Sequence, residues 1–244
     1  MNNKLKNIKK ELGSFFSSEL NKTDYFTIIY GSYAYGADRA ESDLDFVTYA
    51  SEFNEKNMEN TMKFIFDLYK RYDIALDYEV PHEKKVLVKY KLLEDGIKGR
   101  GFEKRGDKLF VPPVVKSKEF LESNEIIMRL SLNSITSENI FVSGNMDYYL
   151  SKRSEALENL VAFIFSINDI TSVNIDEFVQ YLIGTQERNG EMYLGYKDKG
   201  PVREYLKNVF KAEFEHFFEQ NIFGKSDNRY YLKNNYWFDS IIQS

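Results

Sequence analysis

The sequence of 244 residues contains no cysteine and only two histidines, which excludes several kinds of functional site. Without cysteine the chain has no disulfide framework and no thiolate metal site. The two histidines, His82 and His216, are too far apart along the sequence to indicate a metal-binding motif. We expect them to be ordinary surface or core residues.

Long apolar runs and a strong net charge are lacking as well. The first stretch of the sequence, MNNKLKNIKKELGSFF, holds no apolar run long enough for a signal peptide or a membrane span. The formal net charge of −5 is too small to favour nucleic acid as a partner on global charge alone. These features predict a soluble cytoplasmic protein that does not contact membranes.

The first third of the chain alternates between helical and strand patterns. Residues 3–20 have apolar side chains at helical spacing, and a second helix is predicted over residues 54–72. The segments DYFTIIYG, LDFVTYA and DIALDYEV are typical of strands. We therefore predict a mixed β-sheet with flanking helices in this part of the chain.

The rest of the chain has a different character. Residues 81–120 hold eleven Lys and Arg against six Asp and Glu, and glycines and a Pro-Pro pair interrupt them, so we predict strands and loops there. After Lys116 four helices are predicted, the last with Pro201 in its first turn. The predicted fold class is α+β, with an α/β domain over residues 1–115 and a helical domain over residues 116–244.

The stretch YGSYAYGADRAESDLDFV combines a glycine turn with two closely spaced carboxylates. Asp43 and Asp45 project from the same face if the chain is extended there, and a divalent cation would relieve their repulsion. Gly31 and Gly36 allow backbone conformations that expose N–H groups to an anionic phosphate, and Ser32 adds a hydroxyl donor. A phosphate-binding turn beside a metal-binding pair is typical of phosphoryl or nucleotidyl transfer.

A third carboxylate is available on the strand predicted for DIALDYEV. Asp77 and Glu79 share one face of that strand, while apolar side chains cover the other face. A solvated acidic face is the alternative interpretation. We favour Asp77 over Glu79 as the third acid because Asp77 lies in the middle of the apolar run, whereas Glu79 adjoins Pro81 at its end.

Tyr30-Gly31-Ser32, followed after ten residues by Asp43-Leu44-Asp45-Phe46, resembles the signature of the nucleotidyltransferases of the DNA polymerase β superfamily. Leu76-Asp77-Tyr78 is similar to the later third acid of that pattern, and the resemblance covers roughly residues 24–82. Many relatives have a basic residue just before the second glycine, where this chain has Tyr35.

The resemblance implies the chemistry and the site residues. It implies that Asp43, Asp45 and Asp77 are catalytic and hold two Mg²⁺ ions, and that a nucleoside monophosphate, AMP from ATP, is transferred to an acceptor hydroxyl with release of pyrophosphate. It also implies nucleotide binding by Gly31, Ser32, Ser42 and a lysine of the helical half, for which Lys152 is the candidate. A solvated charged face is the alternative interpretation of Lys152.

Three functions are compatible with these patterns. The two-part layout resembles aminoglycoside nucleotidyltransferases and implies a hydroxyl-bearing small molecule as acceptor. A tRNA or protein acceptor, as in toxin–antitoxin systems, is the second alternative, and the basic stretch 84–118 favours tRNA. The third alternative is a catalytically silent nucleotide-binding module, which would normally have lost one of the three aspartates. We favour the enzyme with the small-molecule acceptor.

Overall fold

The computed structural model of the chain describes residues 3–40, 42–76, 82–100, 103–105, 108–110, 118–187 and 200–233. Its elements in chain order are α1 (Asn3–Glu19), β1 (Tyr25–Ile29), a 3₁₀ turn (Gly31–Tyr33), β2 (Phe46–Ala50), α2 (Glu55–Tyr72), α3 (His82–Val86), β3 (Leu87–Lys89), α4 (Tyr90–Ile97), β4 (Glu103–Arg105), β5 (Lys108–Phe110), α5 (Lys118–Glu122), α6 (Asn124–Thr136), β6 (Ile140–Gly144), α7 (Met146–Ile167), β7 (Ser172–Val173), α8 (Ile175–Glu187), α9 (Gly200–Glu219), β8 (Phe223–Ser226) and β9 (Arg229–Leu232).

The central sheet is mixed, with the strand order β3-β2-β1-β6. Strand β1 pairs antiparallel with both β2 and β6, and β2 pairs parallel with β3. The predicted α+β class, a mixed sheet followed by helices, is confirmed. The edge strand β6 comes from beyond residue 115, and the domain boundary near that residue stays a prediction.

Helices cover both faces of the sheet and form two apolar clusters. Side chains of α1 and α2 pack on one face, with Ile8, Leu12 and Ile65 fully buried among them. On the other face a larger cluster extends from the sheet through α4, α6 and α7 to α8 and α9. This packing holds β1 and the start of β2 firmly, which matters because the candidate site lies where these two strands meet.

Several predicted elements need correction. The segment 81–120, predicted as strands and loops, has the short strands β3, β4 and β5, but it also contains the amphipathic helix α4, which buries Leu93 and Ile97. The basic residue of α4, Lys91, is exposed, and the charge and glycine content of the segment masked the helical spacing of α4. The first helix predicted after Lys116 is broken at Ser123 into α5 and α6, and a small sheet with the order β7-β9-β8 accompanies the C-terminal helices.

The third predicted strand, residues 73–80, lies only partly within the described residues. Asp73 ends α2 in a left-handed conformation with φ of 47°. Ala75 then forms a parallel bridge with Asp43. Asp77 and Glu79 lie outside the described residues.

Within the described ranges, no helix is both long enough and apolar enough to cross a membrane.

Candidate active site

Asp43 and Asp45 lie at the entrance to β2 and are held there by the buried residues between and after them. Leu44 and Phe46 are each 3% exposed and pack in the cluster beneath α1 and α2. The hydroxyl of Tyr69 donates a hydrogen bond of 2.8 Å to the carbonyl oxygen of Leu44. Since alternate residues of an extended chain face opposite sides, burial of Leu44 and Phe46 directs both carboxylates away from this cluster.

The Gly31 turn lies directly against this carboxylate pair. The backbone N–H of Tyr30 donates to the carbonyl oxygen of Asp45 at 2.9 Å, which joins the end of β1 to the entrance of β2. Gly31 has φ of +71°, and a Cβ atom placed on it would lie 2.1 Å from Oδ2 of Asp45. Glycine is therefore required here both by the backbone conformation and by the space that the carboxylate occupies.

Most backbone amides of the loop after Gly31 donate hydrogen bonds to carbonyl oxygens of the loop itself. The N–H groups of Ala34 and Tyr35 donate to the carbonyl oxygen of Gly31, and that of Ala37 donates to the carbonyl oxygen of Ser32 at 2.9 Å. Among the described residues, the amides of Ser32 and Tyr33 donate no hydrogen bond. These two amides at the start of the turn, together with the Ser32 hydroxyl, are therefore available as donors to a phosphate group.

Lys85 of α3 faces both carboxylates. Its Nζ atom is 3.5 Å from Oδ1 of Asp45 and 3.9 Å from Oδ2 of Asp43. The Lys85 side chain is 11% exposed, against 30% for Asp43 and 22% for Asp45. The contact of one ammonium group with both carboxylates confirms that the two aspartates share a face. Lys85 could not be recognised from the sequence, because it is one of eleven basic residues in its segment and no spacing rule distinguishes it.

Ser42 takes part in a local turn beside Asp43. Its hydroxyl oxygen accepts a hydrogen bond of 2.9 Å from the backbone N–H of Arg39, and its own N–H donates to the carbonyl oxygen of Arg39 at 3.0 Å. Ser42 thus shapes the loop that leads into the carboxylate pair. Its predicted contact with nucleotide stays a prediction.

Lys152 on α7 is engaged away from the aspartates. Its Nζ atom lies 2.9 Å from Glu155 and 3.6 Å from Glu94, and it also lies over the ring of Tyr148. Within the described part of the chain, Lys152 forms no ion pair with Asp43 or Asp45. The structure thus does not bring this predicted nucleotide-binding residue together with the carboxylates.

The residue before the second glycine, Tyr35, connects the loop to the helices that follow the sheet. Its ring meets that of Tyr205 on α9 edge to face, with the centroids 5.7 Å apart, and its hydroxyl oxygen accepts from the N–H of Glu138 at 3.3 Å. Burial raises the pKa of the Tyr35 hydroxyl above its usual value. The guanidinium of Arg153 donates to the hydroxyl of Tyr205 and to the carbonyl oxygen of Ser137.

The acids in the described residues do not complete a metal site by themselves. No cluster of three or more Asp, Glu or His side chains with metal-binding geometry occurs within the described ranges. The predicted third acid, Asp77, lies outside these ranges. The bridge between Ala75 and Asp43 leads the chain past the carboxylate pair just before Leu76, the last described residue before Asp77.

Comparison with known proteins agrees with this geometry. Residues 5–106 match the family model described as a nucleotidyltransferase domain. The match contains the Gly31 turn, both aspartates, Lys85 and the predicted third acid, and it confirms the resemblance to the DNA polymerase β superfamily in this part of the chain. The comparisons with curated proteins and with solved structures find no match.

Proposed function

Because residues 5–106 match the family model of a nucleotidyltransferase domain, we propose that this chain transfers a nucleoside monophosphate, AMP from ATP, to a hydroxyl group of a small molecule. Pyrophosphate is the second product. The observation that supports this proposal most strongly is the convergence of Asp43 and Asp45 on a single cation beside the Gly31 turn. The matched family model supports nucleotidyl transfer as the activity. We propose ATP as the donor, a small molecule as the acceptor and the cytoplasm as the location.

The donor atoms at the site suit magnesium. Carboxylate oxygens are the hard ligands that Mg²⁺ prefers, and Mg²⁺ commonly binds through one or two carboxylates together with substrate phosphates. The absence of a Cβ atom at residue 31 keeps the space beside Oδ2 of Asp45 open. We propose that Asp43, Asp45 and Asp77 hold two Mg²⁺ ions. When bound, these ions would neutralise phosphate charge and lower the pKa of the acceptor hydroxyl.

The remaining residues would bind and orient the substrates. The amides of Ser32 and Tyr33 and the Ser32 hydroxyl would donate hydrogen bonds to the triphosphate, and Asp77 would accept the proton of the acceptor hydroxyl. Ser42 and Lys152 remain proposed nucleotide contacts. For Lys152 such a contact requires its ammonium group to leave Glu94 and Glu155.

The third acid can be identified by comparing two variants. We expect Asp77→Asn to abolish nearly all transfer in a single-turnover assay and Glu79→Gln to cause a milder defect, because a displacement of about 1 Å at a metal ligand can cost on the order of a hundredfold in rate. The reverse order would identify Glu79 as the ligand.

A tRNA or protein acceptor is the second candidate, favoured by the basic stretch 84–118. The described part of that stretch weakens the argument, because Lys91 and Arg100 both pair with Asp95 and Lys118 pairs with Glu122. Charges neutralised in this way contribute little to binding a phosphate backbone. A silent module is disfavoured because both aspartates of the pair are present.

A single acceptor screen separates these candidates. Each of the four nucleoside triphosphates, labelled at the α-phosphorus, is incubated with Mg²⁺ and with pooled aminoglycosides, bulk tRNA or lysate protein. We expect label from ATP on a small molecule, and no label with the Asp45→Asn variant. Label on tRNA or on protein would instead establish the second candidate. Nucleotide binding without transfer to any acceptor would support the silent module.

A further inference from the structure

Lys85 makes an unusual contact for a lysine in a small helix. Its ammonium group lies within 3.9 Å of both aspartates, and nearly nine-tenths of its side chain is shielded from solvent. Lys85 also lines a small cavity together with Val47 and Val88. Lysines are seldom buried to this degree unless the charge is paired, so the burial of Lys85 requires the carboxylate pair.

A divalent cation and the Lys85 ammonium group compete for the same oxygens. Mg²⁺ needs direct bonds of about 2.0–2.1 Å to carboxylate oxygens. The oxygens closest to Lys85 are Oδ1 of Asp45 and Oδ2 of Asp43, one from each of the two proposed ligands. Two cations drawn to the same two carboxylates repel each other strongly at such distances.

We propose that Lys85 is a positioning residue that holds Asp43 and Asp45 together before metal binds, and that a divalent cation displaces its ammonium group. This inference rests on the proposed function, because it takes the aspartate pair to be the metal site. Lys85 keeps the carboxylates converged without metal, and it lowers the affinity of the site for metal in the absence of nucleotide.

The neighbouring lysine provides a matched control. Lys84 belongs to the same helix and carries the same charge, but its Nζ atom donates to the carbonyl oxygen of Glu122 at 2.9 Å. Lys85→Met and Lys84→Met therefore change the net charge equally, and only the first removes the cation from the aspartate pair.

The test measures Mn²⁺ binding to the full chain without nucleotide, by electron paramagnetic resonance of the free ion. We expect Lys85→Met to bind Mn²⁺ about tenfold more tightly than the wild type, since it removes a competing charge, and Lys84→Met to bind within about twofold of the wild type. Lys85→Gln, which keeps a polar side chain of similar reach, serves the same purpose if Lys85→Met does not fold. Wild-type or weaker Mn²⁺ affinity in the Lys85 variant would overturn the proposal.

Thermal unfolding gives a second readout that is independent of activity. In a chelating buffer we expect Lys85→Met to unfold at a lower temperature than the wild type, because the two carboxylates then repel each other. Saturating Mn²⁺ should restore the lost stability, whereas Lys85→Arg should need no such rescue. An equal deficit of Lys85→Met with and without Mn²⁺ would indicate a purely structural role and contradict the proposal.

The Asp45→Asn variant distinguishes failure of the proposed metal site from failure of the proposed role of Lys85. If wild-type Mn²⁺ binding persists in Asp45→Asn, the proposed metal site itself is wrong. If Asp45→Asn abolishes binding while Lys85→Met behaves as the wild type, the metal site stands and only the role given to Lys85 is wrong.

Discussion

Gly31 and the carboxylate of Asp45 are in direct contact, so the turn and the proposed metal ligand form one unit. A Cβ atom at residue 31 would overlap Oδ2 of Asp45 at 2.1 Å, and the neighbouring residue Tyr30 donates its N–H to the Asp45 carbonyl oxygen. On sequence grounds alone, the glycine is needed because phosphate must approach the backbone. The structure adds a second reason, which is that a side chain at this position would displace a proposed ligand.

Gly31→Ala is predicted to inactivate the protein through this overlap. Gly36→Ala is a matched control, because Gly36 also has a positive φ, of +64°, but nothing lies within 4 Å of a Cβ atom placed there. Both variants should lose about 1 kcal/mol of unfolding free energy from the left-handed backbone. Only Gly31→Ala should also lose Mn²⁺ affinity and at least about a hundredfold in transfer rate. Equal activity losses in the two variants would show that backbone strain, not the overlap, is responsible.

Tyr35 is predicted to hold the Gly31 loop against the C-terminal helices. Tyr35→Phe removes the hydrogen bond from the Glu138 amide but keeps the ring on Tyr205, and should cost about 0.5–1.5 kcal/mol of stability. Tyr35→Ala removes both contacts and should in addition raise the KM for nucleotide several-fold, because the loop loses its fixed position. Steady-state kinetics and thermal unfolding measure both effects. A wild-type KM in Tyr35→Ala would mean that the loop is held by other contacts.

Glu213 on α9 is predicted to make stability depend on pH. Burial, with a smaller contribution from Glu158, raises the pKa of Glu213 from 4.5 to about 7. The folded chain therefore binds this proton more tightly than the unfolded chain, and the resulting stability, full below pH 4.5, is lost as the pH rises to about 7.

Replacing Glu213 by glutamine removes the buried charge at high pH. At pH 8 we expect Glu213→Gln to raise Tm by about 2–4 °C, equivalent to roughly 1 kcal/mol, and at pH 4.5 to leave it unchanged. Glu204→Gln, an exposed position on the same helix, is the control and should have no effect at either pH. A Tm difference for Glu213→Gln that does not change with pH would refute the assignment.

Local patterns predicted the part of the site that depends on chain geometry alone. The spacing of Asp43 and Asp45 around buried Leu44, and the glycine at residue 31, follow from alternation and backbone freedom, and the structure has both. Lys85 depends on how α3 packs against the entrance to β2, which no periodicity in the sequence encodes. The engagement of Lys152 by Glu94 likewise joins residues 58 positions apart, and helical spacing alone could place Lys152 only on α7.

Pairing between strands that are far apart in the sequence was the second feature that the sequence did not predict. The sequence predicts β1 and β2, and it predicts strands in the segment that contains β3, but it does not predict the edge strand β6, which pairs with β1 from later in the chain. Strand β6 lies between the strong helical patterns of α6 and α7, which dominated the interpretation of that region. Tertiary pairing decided its conformation.

We propose that this chain transfers the nucleotidyl group and not the terminal phosphate, using the Asp43–Asp45 pair. The measurement that distinguishes the two compares ATP labelled with radioactive phosphorus at the α position and at the γ position, in the presence of Mg²⁺ and the acceptor pool. We expect that α label reaches the acceptor, that γ label appears only in pyrophosphate, and that Asp45→Asn abolishes both. Transfer of γ label to the acceptor, or undiminished α transfer by Asp45→Asn, would contradict this proposal.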